Sequence, residues 1–135
     1  MKRVIFEWNA RVYFEDTDSG GVVYHANYLK FMERARTEWL RSLGLNQMKL
    51  KQEYKMMFVV RKIDIQYKIP ARFNDELLIQ TDCVKNTDYS IMLKQNILRD
   101  KKIVTEGGVE IVCINSDLFK PVRIPKMVKQ LMEII

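Results

Sequence analysis

The spacing of apolar residues changes once along the chain, and that change divides it. Residues 3–14 mix Val, Ile, Phe, Trp and Tyr and predict a first strand. The segment EDTDSGG (15–21) breaks it with acidic turn formers and two glycines. Across residues 25–43, Tyr28, Met32, Ala35, Trp39 and Leu43 recur every three or four positions. That spacing predicts a long helix with one apolar stripe, and Gly44 is a suitable stop. A lysine-rich connection follows, from Lys49 to Lys55. Near residue 57 the period becomes two: Val59, Arg61, Ile63, Ile65, Tyr67 and Ile69 alternate with Val60, Lys62, Asp64, Gln66 and Lys68. This predicts a half-exposed antiparallel strand, ended by Pro70. Three more strands are predicted at 76–85, 90–99 and 103–115, joined as hairpins by the short segments NTDYS and RDKK. Pro121 and Pro125 close the sheet, and Met127, Val128, Leu131, Ile134 and Ile135 predict a short amphipathic helix.

One strand, one long helix and four strands give an α+β order. Antiparallel strands in sequence bury a central helix only if the sheet curls around it. A curled sheet leaves an edge strand in need of cover, so self-association by sheet extension is expected. The 135 residues suit a single domain spanning 1–135, with a core that needs neither disulfide nor metal.

Composition adds exclusions. The stretch MKRVIFEWNARVYFED lacks the apolar run of a signal peptide, and no run approaches the roughly 18 apolar residues of a membrane helix. The expected location is therefore the cytoplasm, and no transmembrane segment is expected. Cys83 and Cys113 sit in apolar, strand-like contexts and are expected as two buried thiols. One histidine and two separated cysteines make a poor zinc set, so no metal is expected. The net charge of +6 fits either a solvated lysine-rich surface or an anionic partner. Nucleic acid is disfavoured, because no RNP-type aromatic motif, KH loop or zinc-finger spacing is present.

The segment that carries chemistry is EDTDSGGVVYHANYL (15–29). It joins a strand to the long helix and holds Asp16, Asp18, Gly20, Gly21, the chain's one histidine, His25, and Asn27 at a possible helix cap. A helix amino terminus exposes unpaired N–H groups at the positive end of the dipole, and such donors can hold a developing oxyanion. Adjacent glycines let a ligand approach the backbone closely. A carboxylate just ahead of them can act as a nucleophile or activate water. The same residue types also make an ordinary strand-to-helix turn.

EDTDSGGVVYHANYLKFMERARTEWL resembles the motif of the YbgC-type (Tol-Pal-associated) acyl-CoA thioesterases, in the 4-hydroxybenzoyl-CoA thioesterase group of hotdog-fold proteins. The resemblance continues through FVVRKIDIQYKIPARFNDEL (58–77) to NSDLFKPVRIP (115–125). It implies a hotdog fold, a curled antiparallel sheet wrapped around one central helix, and hydrolysis of acyl-CoA to free acid and coenzyme A. Asp18 matches the catalytic aspartate, and the backbone N–H of His25 matches the oxyanion donor. Gly20, Gly21 and Tyr24 match substrate-binding positions. Coenzyme A is part of the substrate, so no cofactor is implied. Active sites at the interface of a homodimer, paired in some cases into a homotetramer, are implied too, as are partners such as acyl carrier protein or phospholipid-synthesis enzymes. Related sequences often carry tyrosine where Phe14 stands here, and Tyr13 is not expected to replace it, because adjacent strand residues face opposite sides.

Other residues carry weaker expectations. Glu33, inside the helix, is expected to pair with Lys30 or Arg36 rather than to catalyse. Asp16 is expected as a turn or supporting residue. Arg61, Lys62, Lys68, Arg72, Arg99, Lys101 and Lys102 are candidates for coenzyme A phosphates. Two competing functions remain: a hotdog (de)hydratase, and a non-catalytic module that binds acyl-CoA or acyl carrier protein. A lone histidine on the loop with Asp18 disfavours the first, and an intact Asp18 disfavours the second.

Overall fold

The computed structural model describes residues 5–132. Its elements, in chain order, are β1 (Phe6–Arg11), a 3-10 turn (Phe14–Asp16), α1 (Asn27–Ser42), α2 (Gln47–Tyr54), β2 (Met56–Tyr67), β3 (Glu76–Asn86), β4 (Ser90–Arg99), β5 (Lys102–Asn115) and α3 (Lys126–Met132). The strands form one antiparallel sheet in the order β1-β3-β4-β5-β2, so β1 and β2 are its two edges. Among the described residues no helix is long and apolar enough to cross a membrane.

The helical stripe does what its spacing predicts. Tyr28, Phe31, Met32, Ala35 and Trp39 are buried and face the sheet. The sheet answers with alternate residues: Ile91, Leu93, Gln95 and Ile97 of β4 all point inward and are buried. Met32 comes down onto Gly107 of β5. A Cβ there would lie 2.6 Å from the Met32 methyl and 2.9 Å from the Gln95 carbonyl oxygen of the neighbouring strand, so a side chain at this position crowds both.

Three expectations need correction. The first strand stops at Arg11 rather than residue 14, because the chain turns at Phe14–Asp16; residues 3 and 4 lie outside the described residues, as do Ile134 and Ile135. Tyr13 and Phe14 are therefore not strand neighbours on opposite faces: both are solvent-exposed at a turn. The connection Lys49–Lys55 contains a helix, α2, which has one buried residue, Leu50, and so no stripe to read. Its start is set by Asn46, whose side chain accepts from the Lys49 N–H at 2.8 Å. Finally, β2 does not alternate without interruption. Its register against β5 shifts between Val60 and Lys62, with Arg61 as the extra residue. Val59 pairs with Val112 and Ile63 with Val109, so the bulge puts Val59 and Ile63 on opposite faces.

The two cysteines differ from each other. Cys113 is buried as expected, and burial pushes its thiol up to about 11. Cys83 is half-buried, because it lies beside a second register shift on β3.

Candidate active site

The segment between the 3-10 turn and α1 folds into a small hairpin. The Asp18 N–H donates to the Val22 carbonyl at 2.9 Å and the Gly21 N–H to the Asp18 carbonyl at 3.0 Å. Thr17 and Val23 then pair as an antiparallel bridge, and Val22 pairs with Arg72. Gly21 makes the reversal at φ +80°, a conformation that a side chain disfavours. Gly20 has another task. Its N–H donates to Asp18 Oδ1 at 2.8 Å, and a Cβ there would crowd that oxygen at 3.2 Å. The second carboxylate oxygen of Asp18 accepts no hydrogen bond among the described residues, and the side chain is exposed.

Below the hairpin, Asp16 is buried and anchors the start of α1. It accepts from the Asn27 side-chain amide at 2.6 Å and from the Tyr13 N–H at 2.8 Å. Asp16 is thus a supporting residue, as its position in the turn suggests. Asn27 is not the cap: Ala26 is, and Asn27 is the first helical residue, turned inward onto Asp16. Tyr28 follows, buried, its hydroxyl accepting from the Ala71 N–H at 3.2 Å. Burial raises the Tyr28 pKa above its ordinary value.

His25 sits in the turn just ahead of α1, with an exposed ring tilted over Tyr24 at 4.6 Å between centroids. The N–H groups of His25 and Ala26 have no acceptor among the described residues. The His25 carbonyl does have a partner: the Tyr67 hydroxyl donates to it at 2.9 Å, which orients the His25–Ala26 peptide. His25, Tyr28 and Tyr67 line a cleft of about 260 Å³ together with Val23, Lys68, Ile69 and Pro70. Tyr67 was not singled out in the sequence, where it is one apolar position in an alternating run; its place at the last residue of β2, opposite a turn, is the signal that was available.

The fold brings Asp18, Gly20, Gly21, Tyr24 and His25 onto one loop, yet no hydrogen bond joins the Asp18 carboxylate to His25 among the described residues. Glu33 stays outside. It is exposed on α1 and accepts from Thr37 Oγ1 at 3.1 Å rather than pairing with Lys30 or Arg36. Arg36 instead turns inward to Gln95 Oε1 at 2.8 Å. Of the basic candidates, Arg61 is committed to Glu110, and Arg99 to Asp75 at 2.7 Å. Lys68 and Arg72 remain beside the cleft and the hairpin. Lys62 lies 3.8 Å from Asp64, and Lys101 and Lys102 are exposed at the β4–β5 turn.

A curled antiparallel sheet around one helix, with a glycine hairpin ahead of that helix, defines a hotdog-fold thioesterase. More narrowly, the chain belongs to the Thioesterase-like superfamily, whose family model matches residues 12–132. It is 43% identical over 129 residues to the acyl-CoA thioester hydrolase YbgC of Escherichia coli O6:H1, an alignment covering 95% of this chain and 96% of that protein. It is 41% identical over 124 residues to the acyl-CoA thioesterase YbgC of Haemophilus influenzae, covering 92% and 91%. Among solved structures, a probable thioesterase from Bartonella henselae superposes with a TM-score of 0.86 at 38% identity, covering 90% of this chain and all 100% of that one.

Proposed function

We propose that this thioesterase hydrolyses acyl-CoA, with Asp18 driving attack on the thioester carbonyl and the N–H groups at the head of α1 holding the oxyanion. The observation that carries this reading is the pair of N–H groups at His25 and Ala26, without acceptors, beside a cleft and on the same loop as a carboxylate with one oxygen unused. Negative charge developing on the carbonyl oxygen is stabilised there by the N–H donors and the helix dipole. Asp18 either takes a proton from attacking water or attacks the carbonyl itself, giving an acyl anhydride that water then opens. On both routes the carbon–sulfur bond breaks and coenzyme A leaves as its thiolate. Tyr67 is a positioning residue, acting through the His25 carbonyl. Lys68 and Arg72 are the cations best disposed for coenzyme A phosphates. Relatives named acyl-CoA thioesterase support the substrate. The chain acts as one unit, in the cytoplasm, without a cofactor.

The test is a set of conservative substitutions assayed by thiol release. Asp18→Asn keeps the shape but removes nucleophile and base, and is expected to lower kcat by roughly a hundredfold or more with KM little changed. His25→Ala is expected to cost less, since alanine keeps the N–H. A fully active Asp18→Asn enzyme overturns the mechanism, and a larger loss from Glu33→Gln moves the carboxylate onto α1.

A further inference from the structure

One end of the molecule presents two large apolar side chains to water. After β5 the chain reverses through residues 115–121, and at the tip Leu118 is 69% and Phe119 66% exposed. The tip is tightly hydrogen-bonded. The Asn115 side-chain oxygen accepts from the Asp117 N–H at 2.9 Å and from the Leu118 N–H at 2.8 Å. The Phe119 N–H donates to the Asn115 carbonyl and the Asn115 N–H to the Lys120 carbonyl, both at 2.8 Å. Ile114 and Pro121 pair as an antiparallel bridge that closes the reversal. Phe119 sits at φ +56°, in the left-handed region that a bulky side chain disfavours and that asparagine or glycine meets more readily. A phenylalanine held there with its ring in water carries backbone strain without gaining burial from its own chain.

Lysines surround the tip. Lys120 follows Phe119 directly, and the Ser116 N–H donates to the Lys55 carbonyl at 2.9 Å, which sets the end of α2 against the tip. The Tyr54 hydroxyl donates to Met127 Sδ at 3.8 Å, which joins the head of α3, with Lys126, to the same end. Lys55, Lys120 and Lys126 are exposed and enter no ion pair among the described residues. Segments 47–55 and 115–129 hold seven Lys and Arg residues, answered by Glu53, Asp117 and the neighbouring Asp88, so most of the net charge of +6 lies at this end.

We propose that this tip docks the protein on a membrane surface that carries anionic lipids. Leu118 and Phe119 enter the boundary between headgroups and acyl chains, and Lys55, Lys120 and Lys126 meet the lipid phosphates. Two adjacent apolar side chains at a narrow, lysine-rimmed tip suit insertion between lipids better than the broad patch that two proteins bury between them. A bilayer also takes up fatty acids and long-chain acyl-CoA, so docking sets the enzyme beside its substrate and product. That advantage depends on the proposed activity; the docking does not.

The test is flotation of the full chain with lipid vesicles. Wild type is expected to float with vesicles of phosphatidylcholine containing about 30% phosphatidylglycerol, and to stay behind with phosphatidylcholine alone. The pair Leu118→Ser and Phe119→Asn is expected to lower the partition coefficient by about tenfold or more. Lys55→Gln, Lys120→Gln and Lys126→Gln together are expected to lower it by about the same factor. Phe119→Asn alone relieves the left-handed backbone, so its Tm is expected to hold or rise while its flotation falls. A lower Tm would make the ring a structural element and overturn its docking role. Wild type that fails to float, that floats equally with neutral vesicles, or that the variants match overturns the proposal. A lower mass for Phe119→Asn in light scattering shows that a second copy covers the tip, and overturns it too.

Discussion

Gln95 is fully buried and ties α1 to the sheet. Its amide donates to the Met32 carbonyl at 3.0 Å and to Thr81 Oγ1 at 2.9 Å, and its oxygen accepts from Arg36. Burial lowers the Arg36 pKa, with nearby Glu33 acting in the opposite direction. A guanidinium in that position depends on its one acceptor. Gln95→Leu keeps the volume but strands Arg36 and Thr81, and is expected to cost about 2–4 kcal/mol, read as a lower urea midpoint at constant m. An unchanged midpoint would show that Arg36 simply swings to solvent. Asp16 and Asn27 do at the head of α1 what Gln95 does at its middle. These pairings were not legible in the sequence, since they join residues far apart in the chain or lie within a turn whose geometry composition does not fix. Asp18, Gly20, Gly21 and His25 were legible as a group, because one short loop carries them all.

At the scale of elements, what the sequence disclosed follows from periodicity. α1 and the strands β3 and β4 bury mainly one face each, so their apolar spacing matches their structure closely, whereas β5 is buried on both faces from Ile111 to Ile114. α2 buries Leu50 fully and packs only Tyr54 against the core beside it, which leaves no stripe to read. The bulge at Arg61 is equally silent, since an inserted residue looks like an ordinary position until its partner strand is known. Gly107 leaves room for the Met32 methyl above it and the Gln95 carbonyl beside it, and Gly107→Ala tests how tight that space is. The Met32 methyl can move aside, but the Gln95 carbonyl belongs to the sheet, so the substitution is expected to destabilise by about 1–3 kcal/mol in thermal or urea unfolding. A neutral effect would mean that the backbone at Gln95 yields by a few tenths of an ångström at little cost.

Over the whole molecule the charge matters through placement more than amount. Several of the basic side chains are matched, as Arg61 is by Glu110 and Arg123 by Asp88, whereas Lys68 lines the cleft and Arg72 pairs with the hairpin. Coenzyme A brings several phosphate charges, so KM is expected to rise several-fold between low salt and roughly 0.2 M, with kcat changing less. A KM that ignores salt would make these cations solvating groups only. The curled sheet was foreseen from the α+β order; which strands form its two edges, β1 and β2, required the strand order.

α2 sits lightly on the molecule, with its own cap, Leu50 buried, Tyr54 packed against the core and most of its other residues exposed. It also forms a wall of the apolar cavity that it shares with Leu40, Met57 and Phe58, while the hairpin that carries Asp18 is bound into the body of the fold. Cavity wall and candidate catalytic loop are thereby housed in parts that tolerate change very differently. Change in α2 is therefore expected to reshape that cavity while leaving the loop of Asp18, Gly20, Gly21 and His25 as it stands.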